Sequence, residues 1–295
     1  MSVLSISERN EKEKNKKLLF SKIFRMVGAL VVIVILIVLV CSGIYVINSY
    51  RDSDIKVGEQ ENIVVDVERV KELDVDVGAF NFIVKKDGDS FSLSKHEYII
   101  YSVEDDKLVI KEKGRKWFER VEGSVLLTIP EDYDFEEIDI ESDGGKVELT
   151  GLHVKDIDLT LGAGTLILKN LEVTGEADIE GGTGKVEIKK GTYNNIKCKV
   201  KVGSLQFFGK ITGDSEFETS LGSCDVKLIG DSNIYSIRGL KGLGDFIIGN
   251  YVINEDTIFG YGKIKIVVKG GFGGVVIKFV DENGKIIEDL YNFKQ

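Results

Sequence analysis

The side chains best suited to do chemistry in this chain of 295 residues are carboxylates that recur at a regular interval. Asp139, Asp158 and Asp178 are almost evenly spaced along the chain, and Glu141 and Glu180 follow two of them at the second position. If the segments that carry them lie about 4.8 Å apart, as neighbouring β-strands do, the aspartates form a ladder of like charges. Adjacent charges in such a ladder repel by about 0.9 kcal/mol in water and by about 3.5 kcal/mol at an effective dielectric constant of about 20.

A ladder of this kind is compatible with three roles. Solvent can screen the charges on a plain surface, or a cation or a basic partner can neutralise them. Catalytic carboxylates of the kind that cleave carbohydrates would stand about 5–10 Å apart in a cleft, and nothing in the sequence marks a cleft. We therefore predict no catalytic residue and interpret these acids as an interaction face, composed of Asp139, Asp158, Asp178, Glu141 and Glu180.

The composition offers little material for other chemistry. Three cysteines and two histidines are few for a disulfide framework or a zinc site, and a net charge of −10 argues against nucleic-acid binding. Gly181–Val186 and Gly270–Val275 come nearest to a calcium-binding glycine-rich coil, but each has valine where a liganding aspartate is required. Gly239, Gly242 and Gly244 precede a strand, not the helix that a nucleotide-binding loop needs. We predict neither a metal nor a cofactor.

The cysteines and histidines are assigned structural roles. Cys198 falls in a predicted buried column, and Cys224 takes the place of a glycine in the repeat described below. We expect both to be free thiols because their columns differ. His96 and His153 lie near no motif, and we expect both in exposed loops.

A change of charge along the chain predicts a membrane anchor. Residues 1–25 carry seven basic and three acidic side chains, whereas Met26–Tyr50 contains no charged residue. In a helix, this uncharged segment spans about 37 Å, which is enough to cross a hydrocarbon core of about 30 Å. The basic flank predicts a cytoplasmic N-terminus and an extracytoplasmic C-terminal domain. That domain carries 32 basic and 46 acidic residues from Arg51 onward, a net charge of −14.

Two alternatives to an uncleaved anchor remain open. A cleaved secretion signal would have a shorter apolar core and a cleavage site of small residues. A lipoprotein signal would make Cys41 the lipidated residue. Leu39 fits such a signal, but Val40 stands where a small residue is needed.

The outer part of the chain contains an internal repeat. A small residue followed by a short alternating strand recurs at intervals of about 20 residues, a length typical of repeat proteins. The second and fourth residues after it are apolar, and another alternating strand precedes it, which indicates strands with one buried face. Glycine suits the turn between the two strands because it tolerates positive φ. The anchor residues are Gly145, Gly164, Gly184, Gly203, Cys224, Gly244 and Gly262.

Units of two short strands bury a face only by stacking on one another, so the repeat predicts an all-β, β-solenoid-like stack. An antiparallel meander or sandwich would also give short strands at regular spacing, but we favour the solenoid because the same columns recur in the same order. The predicted organisation is a basic cytoplasmic tail over 1–25, a transmembrane helix over 26–50, a linker over 51–61, an N-terminal β cap region over 62–130, β repeats over 131–269 and a C-terminal cap hairpin over 270–295, turning at Asn283-Gly284.

These motifs resemble those of a known family. The predicted anchor is followed by Val125-Leu-Leu-Thr-Ile-Pro130, by Phe135-Glu-Glu-Ile-Asp-Ile140 and by repeats of the type Gly-x-Val-x-Leu. Over roughly residues 62–290 the chain resembles the DUF4097 family of bacterial-envelope adhesins, also called toastrack-type β-strand repeat proteins. The resemblance implies a β-repeat domain with no established catalytic residues and a link to envelope-stress response.

The sequence therefore predicts a single-pass protein of the bacterial cell membrane whose outer domain is a non-enzymatic adhesion, interaction or envelope-stress module. The expected partners are the lipid bilayer, through residues 26–50, and a cell-wall polymer or another membrane protein, with no role for nucleic acid. Two alternatives stay open. One is an envelope polysaccharide-modifying enzyme on a β-solenoid, and the other is an accessory subunit of a membrane signalling system.

Overall fold

Alternation of apolar and polar residues makes most of the described chain β-strand. In Glu72–Val77, for example, Leu73, Val75 and Val77 are buried, and the residues between them face outward. β-Branched and aromatic side chains fit such a half-buried pleated surface. The result is an all-β architecture, as the sequence predicts.

The computed structural model describes residues 60–65, 70–87, 90–114 and 123–287, and the predicted tail and transmembrane helix over 1–50 lie outside them. Among the described residues, no helix is long and apolar enough to cross a membrane. The strands are β1 (Gln60–Val64), β2 (Glu72–Val77), β3 (Asn81–Lys86), β4 (Ser92–His96), β5 (Ile99–Glu104), β6 (Lys107–Glu112), β7 (Ser124–Ile129), β8 (Asp134–Ser142), β9 (Lys146–Thr150), β10 (His153–Ile211), β11 (Ser215–Ile229), β12 (Tyr235–Leu240), β13 (Phe246–Ile248), β14 (Tyr251–Val252), β15 (Thr257–Phe259), β16 (Ile264–Phe272) and β17 (Val275–Val280).

Successive units stack in parallel, in the arrangement that the repeat predicts. β8 pairs with the first part of β10, with Asp134 opposite His153, and β9 pairs with the part of β10 that follows. β10 pairs in the same way with β11, with Lys197 opposite Glu216. Each residue thus meets its equivalent in the next unit, so one turn of the chain, here called a rung, lies directly on the next. Each complete rung has a first strand, a hinge glycine and a second strand, and the inward side chains of both strands form one hydrophobic core.

A column of glycines forms the hinges. Gly184 and Gly203 have φ of +133° and +135°, where residues with a side chain are rarely found. A Cβ at Gly203 would lie 1.8 Å from the carbonyl oxygen of Gly184, so the hinges also have no room for one. The predicted fifth anchor, Cys224, is wrong, because Gly222 stacks on Gly203 and has φ of +135°. Cys224 stands two residues further on, opposite Leu205 in a buried column.

The stacking order departs from the chain order at both ends. The rung β2–β3 lies between the rung β6–β7 and the rung β8–β9. Similarly, the rung β16–β17 lies between β11 and the rung β12–β13. The antiparallel strands β15 and β14 pair with β12 and β13, so the rung β12–β13 ends the stack and the later rung is inserted beneath it. Such antiparallel end strands limit pairing of an open sheet edge with other molecules.

This inserted rung corrects the last two predicted units. Gly262 is not a hinge, because the strand that follows it, β16, is a first strand. The hinge of the rung β16–β17 is Gly273, with φ of +142°. A Cβ there would lie 1.7 Å from the carbonyl oxygen of Gly222. Gly244 is a hinge, but it stacks on Gly273 and not on the fifth unit. The predicted cap over 270–295 therefore begins inside β16, and β17 completes a rung of the stack.

Candidate interaction face

The predicted ladder of aspartates is present and is longer than the sequence analysis expected. On the outer side of the first strands, Asp139 of β8 stands opposite Asp158 of β10 on one side and opposite Asp74 of β2 on the other. Asp178 follows in the next rung, close enough to Asp158 to raise its pKa. The ladder thus has an aspartate on each of four successive rungs.

Further acids flank these aspartates on both sides. Glu72 stands opposite Glu137, which in turn stands opposite Asp156. On the other side Asp76 stands opposite Glu141. None of these acidic residues is buried. We call the whole set the carboxylate face; it consists of Glu72, Asp74, Asp76, Glu137, Asp139, Glu141, Asp156, Asp158, Glu176, Asp178 and Glu180.

The acids of β2 were not predicted as part of this face, because they precede the repeats in an irregular, strand-rich region. A signal for them exists. Glu72-Leu-Asp-Val-Asp76 alternates acid and apolar residues in the same way as Glu137-Ile-Asp-Ile-Glu141. Two strands with the same outward pattern can be placed side by side only after their register is known, and the structure supplies it.

The central aspartates of the carboxylate face repel one another. Partial burial raises the pKa of Asp139, and Asp74 raises it further, against an opposing effect of Lys107. Partial burial also raises the pKa of Asp158, and the neighbouring Asp139 and Asp178 add to the effect. Within the described part of the chain, neither Asp139 nor Asp158 forms an ion pair. Ionised aspartates here cost the folded state free energy, and a bound cationic group would reduce that cost.

Lysines border this face on the first and the last of its rungs. Lys107 Nζ lies 2.9 Å from Glu72 Oε2, and Lys197 Nζ lies 3.0 Å from Asp178 Oδ2. The pKa of each lysine is raised, chiefly by its hydrogen bond to the carboxylate. Lysines therefore compensate the negative charge at the borders of the face, and the described residues supply no such partner to Asp139 and Asp158 at its centre.

The second strands carry an outer face of a different kind, which we call the paired face. On it, each of two glutamates lies between two lysines: Glu148 between Lys146 and Lys169, and Glu187 between Lys185 and Lys189. Hydrogen bonds from the lysines lower the pKa of Glu148. Partial burial opposes this effect at Glu187, but the bonds from its two lysines still lower its pKa. These two glutamates are already neutralised within the chain.

The carboxylate face spreads its charges over a sheet surface. Neighbouring acids lie about 4.8 Å apart along the stack and about 6.7 Å apart along a strand, because every second residue faces outward. The described residues contain no group of three or more His, Cys, Asp or Glu side chains arranged to hold a metal ion. The geometry suits an extended partner with repeated positive charges.

A shallow groove lies elsewhere, at the corner where the second strand of one rung passes to the first strand of the next. Its volume is about 240 Å³, and His153, Glu172, Lys190 and Lys210 are among its lining residues. The exposed ring of His153 lies 3.7 Å from Asp134 Oδ1 and 3.8 Å from Glu172 Oε2. The groove thus brings together charges of both signs, unlike the carboxylate face.

The prediction for one of the two histidines is wrong, and the prediction of free thiols is confirmed. His96 is buried at the end of β4, where its ring stacks on Tyr98 and its Nδ1 accepts a hydrogen bond from the Tyr98 N–H. The expected exposed loop is wrong because the antiparallel cap strands turn this residue inward. Cys198 and Cys224 are buried and free. Burial raises the pKa of Cys224 to about 12 and that of Cys198 well above its ordinary value, which keeps both as unreactive thiols.

Comparison with known families identifies the family to which this stack of rungs belongs. The Toastrack DUF4097 family matches residues 43–238, about two thirds of the chain. The chain belongs to this family. No curated protein matches this Toastrack chain.

Several solved structures are similar to this Toastrack protein at low sequence identity. A "putative cell adhesion protein" from Clostridium sporogenes ATCC 15579 is 17% identical, with 75% of this chain and 99% of that chain covered and a TM-score of 0.37. A "putative adhesin" from Bacteroides fragilis NCTC 9343 is 15% identical, covering 74% and 97%, with a TM-score of 0.33. A "putative lipid binding protein" from Parabacteroides distasonis ATCC 8503 is 12% identical, covering 77% and 100%, with a TM-score of 0.31.

Proposed function

We propose that this Toastrack protein is a membrane-anchored, extracytoplasmic interaction module that binds a basic partner and does not catalyse a reaction. The observation that carries the proposal is the carboxylate face. Acids from four successive rungs stand at fixed spacing on a parallel stack, and their centre has no ion pair within the described residues. Such a surface gains free energy when a cationic partner replaces the mutual repulsion with attraction.

The regular spacing supports an extended partner over a compact one. A chain with positive groups at intervals of about 4.8 Å or 6.7 Å can contact several carboxylates at once. Several weak contacts made by one chain add up, because the first contact holds the others close. A cationic cell-wall polymer and a basic segment of another membrane protein both have this chemistry.

Binding is tested by removing the same charge from each face. One variant carries Asp139→Asn, Asp158→Asn and Asp178→Asn. The matched control removes three acids from the outer side of the second strands, with Glu148→Gln, Glu187→Gln and Asp225→Asn; Asp225 lies in the second-strand part of β11, opposite Gln206. For a short oligolysine peptide binding to the purified full chain, we expect the first variant to lose affinity by about tenfold and the control by less than about twofold. An equal loss in both would show that only net charge matters and would contradict a specific face.

Membrane attachment through residues 26–50 is a separate part of the proposal. The full chain should stay with the membrane fraction after alkaline carbonate extraction, and a chain lacking 26–50 should not. Replacing 26–50 with an unrelated transmembrane helix should leave binding by the outer domain unchanged. Loss of function on that replacement would favour the alternative of an accessory subunit that contacts its partner within the membrane.

The raised pKa of Asp158 is the observation that favours an enzyme instead. A carboxyl group whose pKa is raised by its surroundings is a candidate general acid. If Asp158→Asn abolished turnover of a wall polymer by the full chain while leaving the fold intact, the protein would be a polysaccharide-modifying enzyme. We expect no turnover in either protein, because the aspartates lie on an open sheet face and not in a cleft.

A further inference from the structure

A row of exposed apolar side chains runs along the hinge edge of the C-terminal rungs. On four successive rungs the residue immediately before the hinge glycine is large, apolar and exposed. Val202 stands opposite Leu221, and Leu221 stands opposite Phe272. Leu243 continues the row, because its N–H donates to the carbonyl oxygen of Gly271, next to Phe272. We call this row the apolar ridge; its exposed fractions are 41% for Val202, 50% for Leu221, 62% for Phe272 and 78% for Leu243.

The ridge is not a general feature of the repeat. The same position holds small or polar residues in the earlier rungs, namely Gly144, Ala163 and Thr183. An outward position in a strand of this kind is normally polar. Isolated exposed apolar side chains are common on proteins, but contiguous ones mark contact with a partner or a membrane.

The charge around the ridge differs from that of the rest of the outer domain. The turns over 200–204, 219–223, 241–245 and 270–274 contain two lysines and one acid, the exposed Asp245. Lys201 is exposed beside Val202. Lys241 lies in the turn of Leu243, where its Nζ donates to the carbonyl oxygen of Gly244 at 2.9 Å. In a domain of strongly negative net charge, these four turns carry a net charge of +1 and are suited to approach an anionic surface.

The chain that leads from the predicted anchor enters the stack at the same edge. Asn81, the first residue of β3, accepts a hydrogen bond from the N–H of Lys146, which directly follows a hinge, so β3 begins at the hinge edge. The parallel strand β7 begins there too, and its antiparallel pairing with β4, with Leu126 opposite Ser94, brings His96 at the end of β4 to the same edge. Gln60, at the start of β1, stands opposite His96. The first described residue therefore lies at the hinge edge.

We propose that the apolar ridge docks on the outer surface of the lipid bilayer, so that the hinge edge of the stack faces the membrane. This inference rests on the membrane attachment proposed above. Nine residues separate the predicted anchor from Gln60, and even fully extended they reach only about 32 Å. The ridge lies on the rungs at the other end of the stack from Gln60, so it meets the bilayer when the whole hinge edge lies along the surface. In that orientation four apolar side chains and two lysines make a shallow contact with headgroups and acyl chains. In this orientation both outer faces of the stack stay clear of the bilayer.

The experiment measures contact between the ridge and acyl chains in the full protein. The chain has a single tryptophan, Trp117, which is replaced by Trp117→Phe. Phe272→Trp then reports from the ridge, and Lys210→Trp is the matched control at the opposite edge, beside the corner groove. Both proteins are reconstituted at low density into vesicles of phosphatidylglycerol and phosphatidylcholine with brominated acyl chains. We expect the bromines to quench roughly half or more of the emission at position 272 and almost none at position 210.

Further variants decide what covers the ridge. Adding Leu221→Ser and Leu243→Ser should release the quenching at position 272. Leu243→Trp gives a second reporter, so the result does not depend on how one variant folds. Unquenched emission at both ridge positions overturns the proposal. If emission instead changes only with the density of protein in the vesicle, a second copy of the chain covers the ridge and the bilayer does not.

The same vesicles separate this inference from the proposed anchor. If the protein floats with vesicles after alkaline carbonate treatment but its ridge reporters stay unquenched, the anchor stands and the docking fails. If the protein does not float, the anchor itself fails.

Discussion

The carboxylate face and the paired face are built on the same rungs and share the same core, but the charged neighbours of their acids are of opposite sign. On the paired face each glutamate accepts hydrogen bonds from two lysines, and its pKa falls. On the carboxylate face Asp139 and Asp158 have acidic neighbours above and below, and their pKa values rise. A fold that can place lysines beside its acids on one side has no structural need to leave Asp139 and Asp158 without an ion pair on the other. The difference supports the proposal that the carboxylate face is the side that binds a partner.

The largest expected effect comes from breaking the hinge that holds both faces in register. Gly203→Ala places a Cβ 1.8 Å from the backbone of Gly184 at φ of +135°. The backbone must shift across a rung, so we expect the free energy of unfolding to fall by about 3 kcal/mol or more. Urea unfolding followed by far-ultraviolet circular dichroism measures this change. Gly274→Ala is the matched control, because a Cβ there meets nothing within 4 Å, and it should change stability by less than about 0.5 kcal/mol.

Replacing one acid by lysine on each face should have opposite effects. Asp158→Lys puts a positive charge between Asp139 and Asp178 and should stabilise the protein by about 0.5–1 kcal/mol. Glu187→Lys puts a third positive charge beside Lys185 and Lys189 and should destabilise it by a similar amount. Urea unfolding of both variants at low salt measures the two changes. Changes of the same sign would contradict the contrast between the faces.

The pH dependence of stability should also differ between the faces. Because the folded pKa of Asp139 and Asp158 lies above the ordinary value of about 3.9, lowering the pH from the folded value to the ordinary one removes their repulsion and raises stability. Because the folded pKa of Glu148 and Glu187 lies below the ordinary value of about 4.3, their contribution is present at neutral pH and is lost as the pH falls through that value and below.

Two variants separate these contributions in a series of unfolding curves against pH. Asp158→Asn should remove part of the gain in stability on mild acidification, and Glu187→Gln should remove part of the loss at lower pH. If both variants followed the wild-type slope throughout, the pKa shifts would not be coupled to folding.

The smallest expected effect is that of a divalent cation. Millimolar Mg²⁺ should raise the melting temperature of the full chain by on the order of 1 °C, because it neutralises part of the carboxylate face in the folded state. The variant carrying Asp139→Asn, Asp158→Asn and Asp178→Asn should show no such shift. An unchanged melting temperature in the wild type would restrict the face to basic partners and exclude a cation.

The middle of the stack was predictable because its period is uniform. Between Gly145 and Gly203 the hinges recur at almost the same interval, so residues at equal offsets from the glycine had to meet, and Asp139 and Asp158 do. The prediction failed at the fifth anchor, where Gly222 and Cys224 are both small and only the backbone geometry distinguishes them. The prediction was also wrong at Gly262, because the glycine-rich segment 270–274 follows closely in the chain and contains the actual hinge, Gly273.

The sequence by itself determined that the described chain forms strands with one buried face, that glycine-hinged units stack, and that acids recur on one outward column. These features follow from local alternation and from a constant period, which any short stretch of the repeat displays. Only the tertiary structure decided that Asp74 joins the ladder, that the rungs at each end are stacked out of chain order, and that Val202, Leu221, Phe272 and Leu243 form one ridge. Several of those contacts join segments that lie several rungs apart in the chain, as Asp74 and Asp139 do. Their register depends on which sheet edge remains open when each segment is added, and no local pattern encodes that.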